Sequence, residues 1–202
     1  MDRLNQQLQF IAEAGRLRGV LRQTTLADPA RRENSAEHSW HLTVLALALG
    51  EYAPPGTDLA RVAAMLVVHD LVEVDAGDLS AYAPPPEQAR QLAAERAAAD
   101  RLFALLPADQ AGPMRQIWDE FEERATLEAR FARALDRLQP MLENVKVGGG
   151  TWRQPGITAA DVLAKVELIA DGSPRLGQFA RDLVDQAVRD GILTADPSRA
   201  GK

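Results

Sequence analysis

The chain contains only three histidines, all within two short segments: "AEHSWH" at residues 36–41 and "VHDLVEVDAGD" at residues 68–78. In each, imidazoles stand among carboxylates in an otherwise apolar, helical context. Scarce imidazoles gathered beside acids point to a metal site rather than to chance packing. His69 and Asp70 are adjacent and follow the apolar run "AAMLVV". Neighbours on a helix point roughly 100° apart, so this pair can grip a cation from two sides but cannot complete its shell. The remaining ligands must come from other helices. His38, one turn into its helix, is one candidate. Asp136 is another, a single acid on the apolar stripe of Phe131, Leu135 and Leu138, where a charge is costly unless paired or metal-bound.

His38, His69, Asp70 and Asp136 together make two imidazoles and two carboxylates. That mixed nitrogen and oxygen set suits one divalent ion, Mn²⁺, Co²⁺, Fe²⁺, Ni²⁺, Zn²⁺ or Mg²⁺, with positions left for water and substrate. Glu73 lies one turn beyond His69 on the same face, placed to take a proton from an attacking water or to orient it. Asp78 follows the Gly77 turn, within reach of a leaving group or a ligand. Other residues have plainer readings. His41, at i+3 from His38, flanks core between Trp40 and Leu42 and supports a ligand rather than binding the ion. Asp75 reads as a solvated loop acid, Trp118 and Trp152 as packing residues, and the charges of "EQARQLAAERAAADR" as the wet face of an amphipathic helix.

Apolar residues recur at helical spacing almost throughout, with no internal repeat and no period-2 run of useful length. Helices are expected over about 4–19, 36–52 with Ser35 as N-cap, 58–74 closing at Gly77, 86–106, 109–123, 126–143, 158–170 and 174–190. "RQTTLADPARRENS" reads as a polar connection, and the tail "ADPSRAGK" is expected to fray. The fold class is therefore all-α.

At 202 residues with 46% apolar and 26% charged side chains, the chain can bury a core of its own. Cysteine is absent, which removes disulfides, thiol nucleophiles and thiolate metal sites. No h-region or membrane-length run is present, so a cytoplasmic protein with no membrane partner is expected. A net charge of −6 argues against a duplex nucleic-acid surface. Locally, Arg3, Arg16, Arg18, Arg22, Arg31 and Arg32 leave the N-terminal end positive, and arginine suits forked contacts to phosphate.

The set His38, His69-Asp70 and Asp136 resembles the HD-domain superfamily of metal-dependent phosphohydrolases. "RENSAEHSW", "HDLVEVDAGD" and "ARALDRLQP", in that order, look like the branch holding the bacterial 5′-deoxynucleotidases and their relatives. The resemblance runs from about residue 4 to beyond 162 and implies one HD domain, a helical bundle over 1–202, with its motifs in about 4–170 and a last helix over about 174–190. It implies that His38, His69, Asp70 and Asp136 hold the metal, Glu73 works on the attacking water and Asp78 stands near the scissile ester. It also implies that an arginine ahead of the first ligand binds the substrate phosphate, with Arg22 the best match and Arg18 the fallback. A homodimer is a further implication, as is a small phosphate ester, a (deoxy)nucleoside 5′-monophosphate, as substrate. One departure matters. Deoxy-selective members carry a tryptophan after that arginine, whereas Gln23, Thr24 and Thr25 stand here, and Trp40 is on another element. The resemblance therefore does not carry deoxy-selectivity to this chain.

Two other readings keep part of this chemistry. One is hydrolysis of another phosphoester, such as a cyclic nucleotide, an alarmone or a nucleoside triphosphate; a triphosphate pocket wants more basic residues than Arg22 alone. The other is a non-catalytic helical module whose metal site stabilises the fold or senses a nucleotide. Such a module needs neither Glu73 nor Asp78.

Overall fold

The computed structural model describes residues 2–27 and 30–195, and the tail expected to fray lies outside them from residue 196 onward. The Asp2 side chain accepts from the Asn5 amide and opens α1 (Arg3–Ala14), which tightens into a 3₁₀ turn, Gly15–Gly19. The segment expected to be a polar connection instead forms an antiparallel pair, β1 (Leu21–Leu26) and β2 (Arg31–Asn34). Leu21 pairs with Asn34 and Thr25 with Arg32, so Arg22, Gln23 and Thr24 bulge out of register between them. Such bulges re-aim side chains. Thr24 and Glu33 are buried here, which explains a pairing of strands that no apolar alternation announces.

The next helix, α2 (Ser35–Leu49), is capped by Asn34 rather than Ser35. Asn34 and Glu37 satisfy each other's backbone amides in a capping box, leaving the Ser35 hydroxyl free for a bond of its own. Asp58 caps α3 (Leu59–Val68), which stops before His69 rather than running to residue 74. Amides three residues apart take over: Leu71 N donates to Val68 O and Glu73 N to Asp70 O. The single turn α4 (Glu73–Ala76) follows and ends at Gly77, whose φ of 74° turns the chain so that Asp78 comes back toward the site. α5 (Pro85–Phe103) opens on prolines, α6 (Ala108–Glu123) follows Pro107, and α7 (Leu127–Lys146) is capped by Thr126. α8 (Ala159–Gly172) starts on a Thr158–Asp161 capping box and α9 (Pro174–Arg189) on Ser173.

The all-α expectation therefore holds, with one small hairpin added. α7 is the axis of the bundle, with Phe131, Ala134, Leu135 and Leu138 packed into the core shared with α2, α3, α8 and α9. A second apolar cluster joins Phe10, Leu17, Val72, Leu102 and Trp118 behind the His69–Glu73 turn. Trp118 and Trp152 are both buried, as packing residues should be. The α8–α9 contact is tight enough that a Cβ on Gly177 would lie 2.5 Å from the Ala170 Cα. Among the described residues no helix is long and apolar enough to cross a membrane.

Candidate active site

Three elements converge on one point. The first turn of α2 brings His38, the end of α3 brings His69, and the middle of α7 brings Asp136. One ligand atom from each lies within 4.8 Å of the others, and all three residues are buried. Pro140 has no amide to bond the Asp136 carbonyl, so the helix is loosened at the turn that carries the acid.

The hydrogen bonds assign the tautomers. His69 Nδ1 lies 3.0 Å from the Leu66 carbonyl and donates to it, so Nε2 is the free lone pair. That Nε2 is buried without a hydrogen-bond partner, although Asp70 Oδ1 stands 3.0 Å away, out of line for a bond. His38 Nδ1 lies 3.1 Å from Gln139 Oε1. The Gln139 amide nitrogen donates to Glu33 Oε1 at 2.8 Å and stands 3.2 Å from His41 Nδ1, so its oxygen is left to accept from His38. His38 Nε2 then presents its lone pair to Asp136 Oδ1 at 3.1 Å. Imidazole lone pairs held 3.0–3.1 Å from carboxylate oxygens are repelled by them unless a cation lies between. The donor set fits a divalent metal ion.

Asp70 stands beside that trio, and its Oδ2 takes the Arg22 guanidinium at 2.7 Å. The β1 bulge aims Arg22 into the acids, where it also lies 3.7 Å from Asp78, 3.9 Å from Glu73 and 3.7 Å from Glu33. Although burial opposes it, the surrounding carboxylates hold Arg22 firmly in its charged form. Glu73 Oε2 accepts from the Ser35 hydroxyl at 2.6 Å, and Asp78 Oδ2 accepts from the Gln23 amide at 3.2 Å. Arg18, by contrast, is exposed and bonds back to the Gly15 carbonyl, away from these acids. Asp75 is exposed as expected but sits on α4, paired with Arg101 and Arg16.

Environment separates the acids. Burial, reinforced by Asp70, lifts the Glu73 carboxyl well above its usual range, and burial also lifts Asp78. Asp136 is equally buried, yet Arg137, the His38 bond and Arg133 hold it well below the carboxylate range. Burial pulls His69 down. For His38, burial and Arg22 pull down, but a protonated ring would donate to both Asp136 and Glu33, which leaves it raised.

These residues open onto a cavity of about 430 Å³, ample for a mononucleotide-sized ligand. Its α5 wall carries Gln88, Gln91 and Glu95, and burial pushes the Glu95 carboxyl up to about 7. The same cavity is lined by Arg124, Arg133, Arg137 and Lys165, none of them expected as site residues. Gln139 and Glu33 were also missed. Gln139 carries the same signal as Asp136, a polar residue three positions on along a buried face of α7. The cations lie one turn apart on α7, at the C-terminus of α6 and on α8, and only packing brings them together.

Comparison with known proteins agrees with this geometry. The HD domain family matches residues 14–176. A crystal structure of a protein described as a predicted metal-dependent phosphohydrolase from Magnetospirillum magnetotacticum superposes with a TM-score of 0.90 at 50% identity, covering 95% of this chain and 96% of that one. An HD-domain phosphohydrolase from Listeria innocua shares the fold at 17% identity and a TM-score of 0.63. The 5′-deoxynucleotidase HDDC2 of Xenopus laevis is 30% identical over 139 residues, covering 67% of this chain and 66% of that protein. The human 5′-deoxynucleotidase HDDC2 is 26% identical over 137 residues, and the match spans 65% of its length.

Proposed function

Because this chain belongs to the HD-domain family, we propose that it is a metal-dependent phosphohydrolase that removes phosphate from (deoxy)nucleoside 5′-monophosphates. The observation that carries the reading is the pair of imidazole lone pairs, His38 Nε2 and His69 Nε2, beside carboxylates with no donor between them, His69 lining a nucleotide-sized cavity and His38 fully buried next to it. His38, His69, Asp70 and Asp136 would hold the ion. When bound, it supplies the positive charge that polarises the phosphoryl group and acidifies water.

The chain's own residues do the rest. Glu73 is held by Ser35 through Oε2, which leaves Oε1 to accept the proton of the attacking water. Its raised affinity for protons suits that exchange. Arg22, turned inward by the bulge, neutralises charge on the phosphate as it builds. Asp78, raised by burial and steadied by the Gln23 amide, gives its proton to the leaving oxygen. Gln23 and Thr24 line the cavity where deoxy-selective relatives carry tryptophan, so weak discrimination against a 2′-hydroxyl is expected.

A second copy of the chain is the natural cover for α2. That helix buries Leu42 and Ala46 on one side and leaves Trp40, Val44 and Leu47 exposed in a stripe on the other, which supports a homodimer. The test of function is phosphate release from deoxy- and ribonucleoside 5′-monophosphates with Mn²⁺, Co²⁺ or Mg²⁺ added. Metal-dependent release that disappears in Asp70→Ala supports the reading. Release that persists in that variant sinks it.

A further inference from the structure

One phosphate is already provided for by Arg22 and the metal ligands, yet the same cavity holds four more cations in a chain with a net charge of −6. Their counter-charges can be followed one by one. Arg133 is matched, lying 3.1 Å from Asp136 and 3.2 Å from Glu122, with its guanidinium over the Phe121 ring. Arg137 reaches only Asp136, at 3.5 Å, an acid shared with Arg133 and His38, and its buried Nε has no partner. Lys165 lies 6.0 Å over the Tyr82 ring with no carboxylate within ion-pair distance among the described residues, and its nearby counter-charge, Asp161 one turn before it, bonds Thr158. No carboxylate pairs with Arg124 among the described residues, since its neighbour Glu122 is taken by Arg133. Arg124 is also the one described non-glycine residue with positive φ, at 56°, a position where helices usually end on glycine. At this C-cap the exposed Arg124 side chain lines the cavity.

We propose that Arg124, Arg137 and Lys165 form a second anion subsite, and that the preferred substrate carries a second phosphoryl group. The inference rests on the phosphohydrolase reading only for where the scissile phosphate sits. Arginine forks and an ammonium group from α6, α7 and α8 suit a dianion with several oxygens, with Arg124 exposed and Arg137 and Lys165 half-buried along the cavity. Arg22 and these three cations divide the cavity between two phosphates. Arg22 lies among Asp70, Glu73 and Asp78, Lys165 lies over Tyr82, and Arg137, beside Asp136, stands between the two groups.

Two measurements test this, each with 2′-deoxyadenosine 5′-monophosphate, its 3′,5′-bisphosphate and the 5′-diphosphate. The first is calorimetric binding to the Glu73→Gln protein, which isolates affinity from turnover. The second is the ratio of kcat/KM between each doubly phosphorylated compound and the monophosphate in the otherwise native enzyme. The expected result is at least tenfold tighter binding of one doubly phosphorylated compound. That advantage, and the matching kcat/KM ratio, should collapse about tenfold when Arg124→Asn and Lys165→Gln are combined. A gain confined to the 3′,5′-bisphosphate puts the second phosphate on the leaving group. A gain confined to the 5′-diphosphate puts it in the chain. Equal affinities for all three compounds, or an advantage that survives the double substitution, overturn the subsite. Preserved selective binding with no turnover of any compound would sink the hydrolase reading and leave the subsite standing.

Discussion

Gln139→Met is the sharpest probe of how the site is held. Methionine keeps the volume of this fully buried side chain and removes every hydrogen bond it makes. Two buried groups then lose their shortest partner: His38 Nδ1, formerly 3.1 Å from the amide oxygen and left with Glu33 Oε2 at 3.5 Å, and Glu33 Oε1, formerly 2.8 Å from the amide nitrogen. At about 1–3 kcal/mol for each orphaned group, the loss is about 4 kcal/mol. For a domain of this length that lowers Tm by about 8–16 °C. The second consequence is specific to metal. With only Glu33 Oε2 at 3.5 Å left to accept from Nδ1, the tautomer that presents Nε2 is held less firmly, and affinity for the ion drops about tenfold to hundredfold. Metal at 100 times the native Kd stabilises the wild type by about 2.7 kcal/mol, and the same free concentration stabilises the variant by only about 0.4–1.4 kcal/mol. Thermal melts with a chelator and with Mn²⁺, beside calorimetric titration, read both quantities. A variant that melts lower but keeps the native Mn²⁺ affinity and the native metal-induced shift in Tm would refute the orienting role of Gln139.

Three further outcomes are expected. Glu73→Gln should lower kcat by about a hundredfold or more while Mn²⁺ affinity stays within about twofold, and a parallel loss of affinity would instead make Glu73 a ligand. Glu95 has its carboxyl pushed up to about 7 from an ordinary 4.5. The folded state therefore binds the extra proton between those values, and stability falls as pH rises through that window. The full shift corresponds to about 3.4 kcal/mol, and solvent access reduces it to about 2 kcal/mol. Glu95→Gln should thus raise Tm at pH 8 and leave it unchanged at pH 4, whereas equal effects at both would refute the burial argument. Leu47→Glu, in the exposed stripe of α2, should convert a dimer to monomer in sedimentation equilibrium without lowering Tm in dilute solution.

How much of this was legible in the sequence depended on whether the signal was local. Helices were readable because their apolar spacing and caps lie within one segment, as at Asp58, Thr126 and Ser173. The β1–β2 hairpin was not, since its strands are polar and pair through a bulge whose purpose is to turn Arg22 inward. The break after Val68 was hidden for a similar reason. Nothing in "HDLVEV" disfavours helix, and the change to bonds three residues apart answers to what His69, Asp70 and Glu73 must face.

The same division runs through the site. His38, His69, Asp70 and Asp136 stood out because a buried imidazole or acid is conspicuous wherever it occurs. Arg124, Arg137 and Lys165 did not, because an arginine or lysine on a helix reads as solvated until packing removes its counter-charge. For Arg137 the adjacent Asp136 would have seemed a sufficient partner. Yet that one carboxylate is shared among His38, Arg133 and Arg137, and a bound cation would claim it as well. A single acid cannot neutralise all of them. With a cation bound at Asp136, Arg137 would keep only a share of one carboxylate, and the packing of α6, α7 and α8 leaves it facing the cavity as a contact for an anionic ligand.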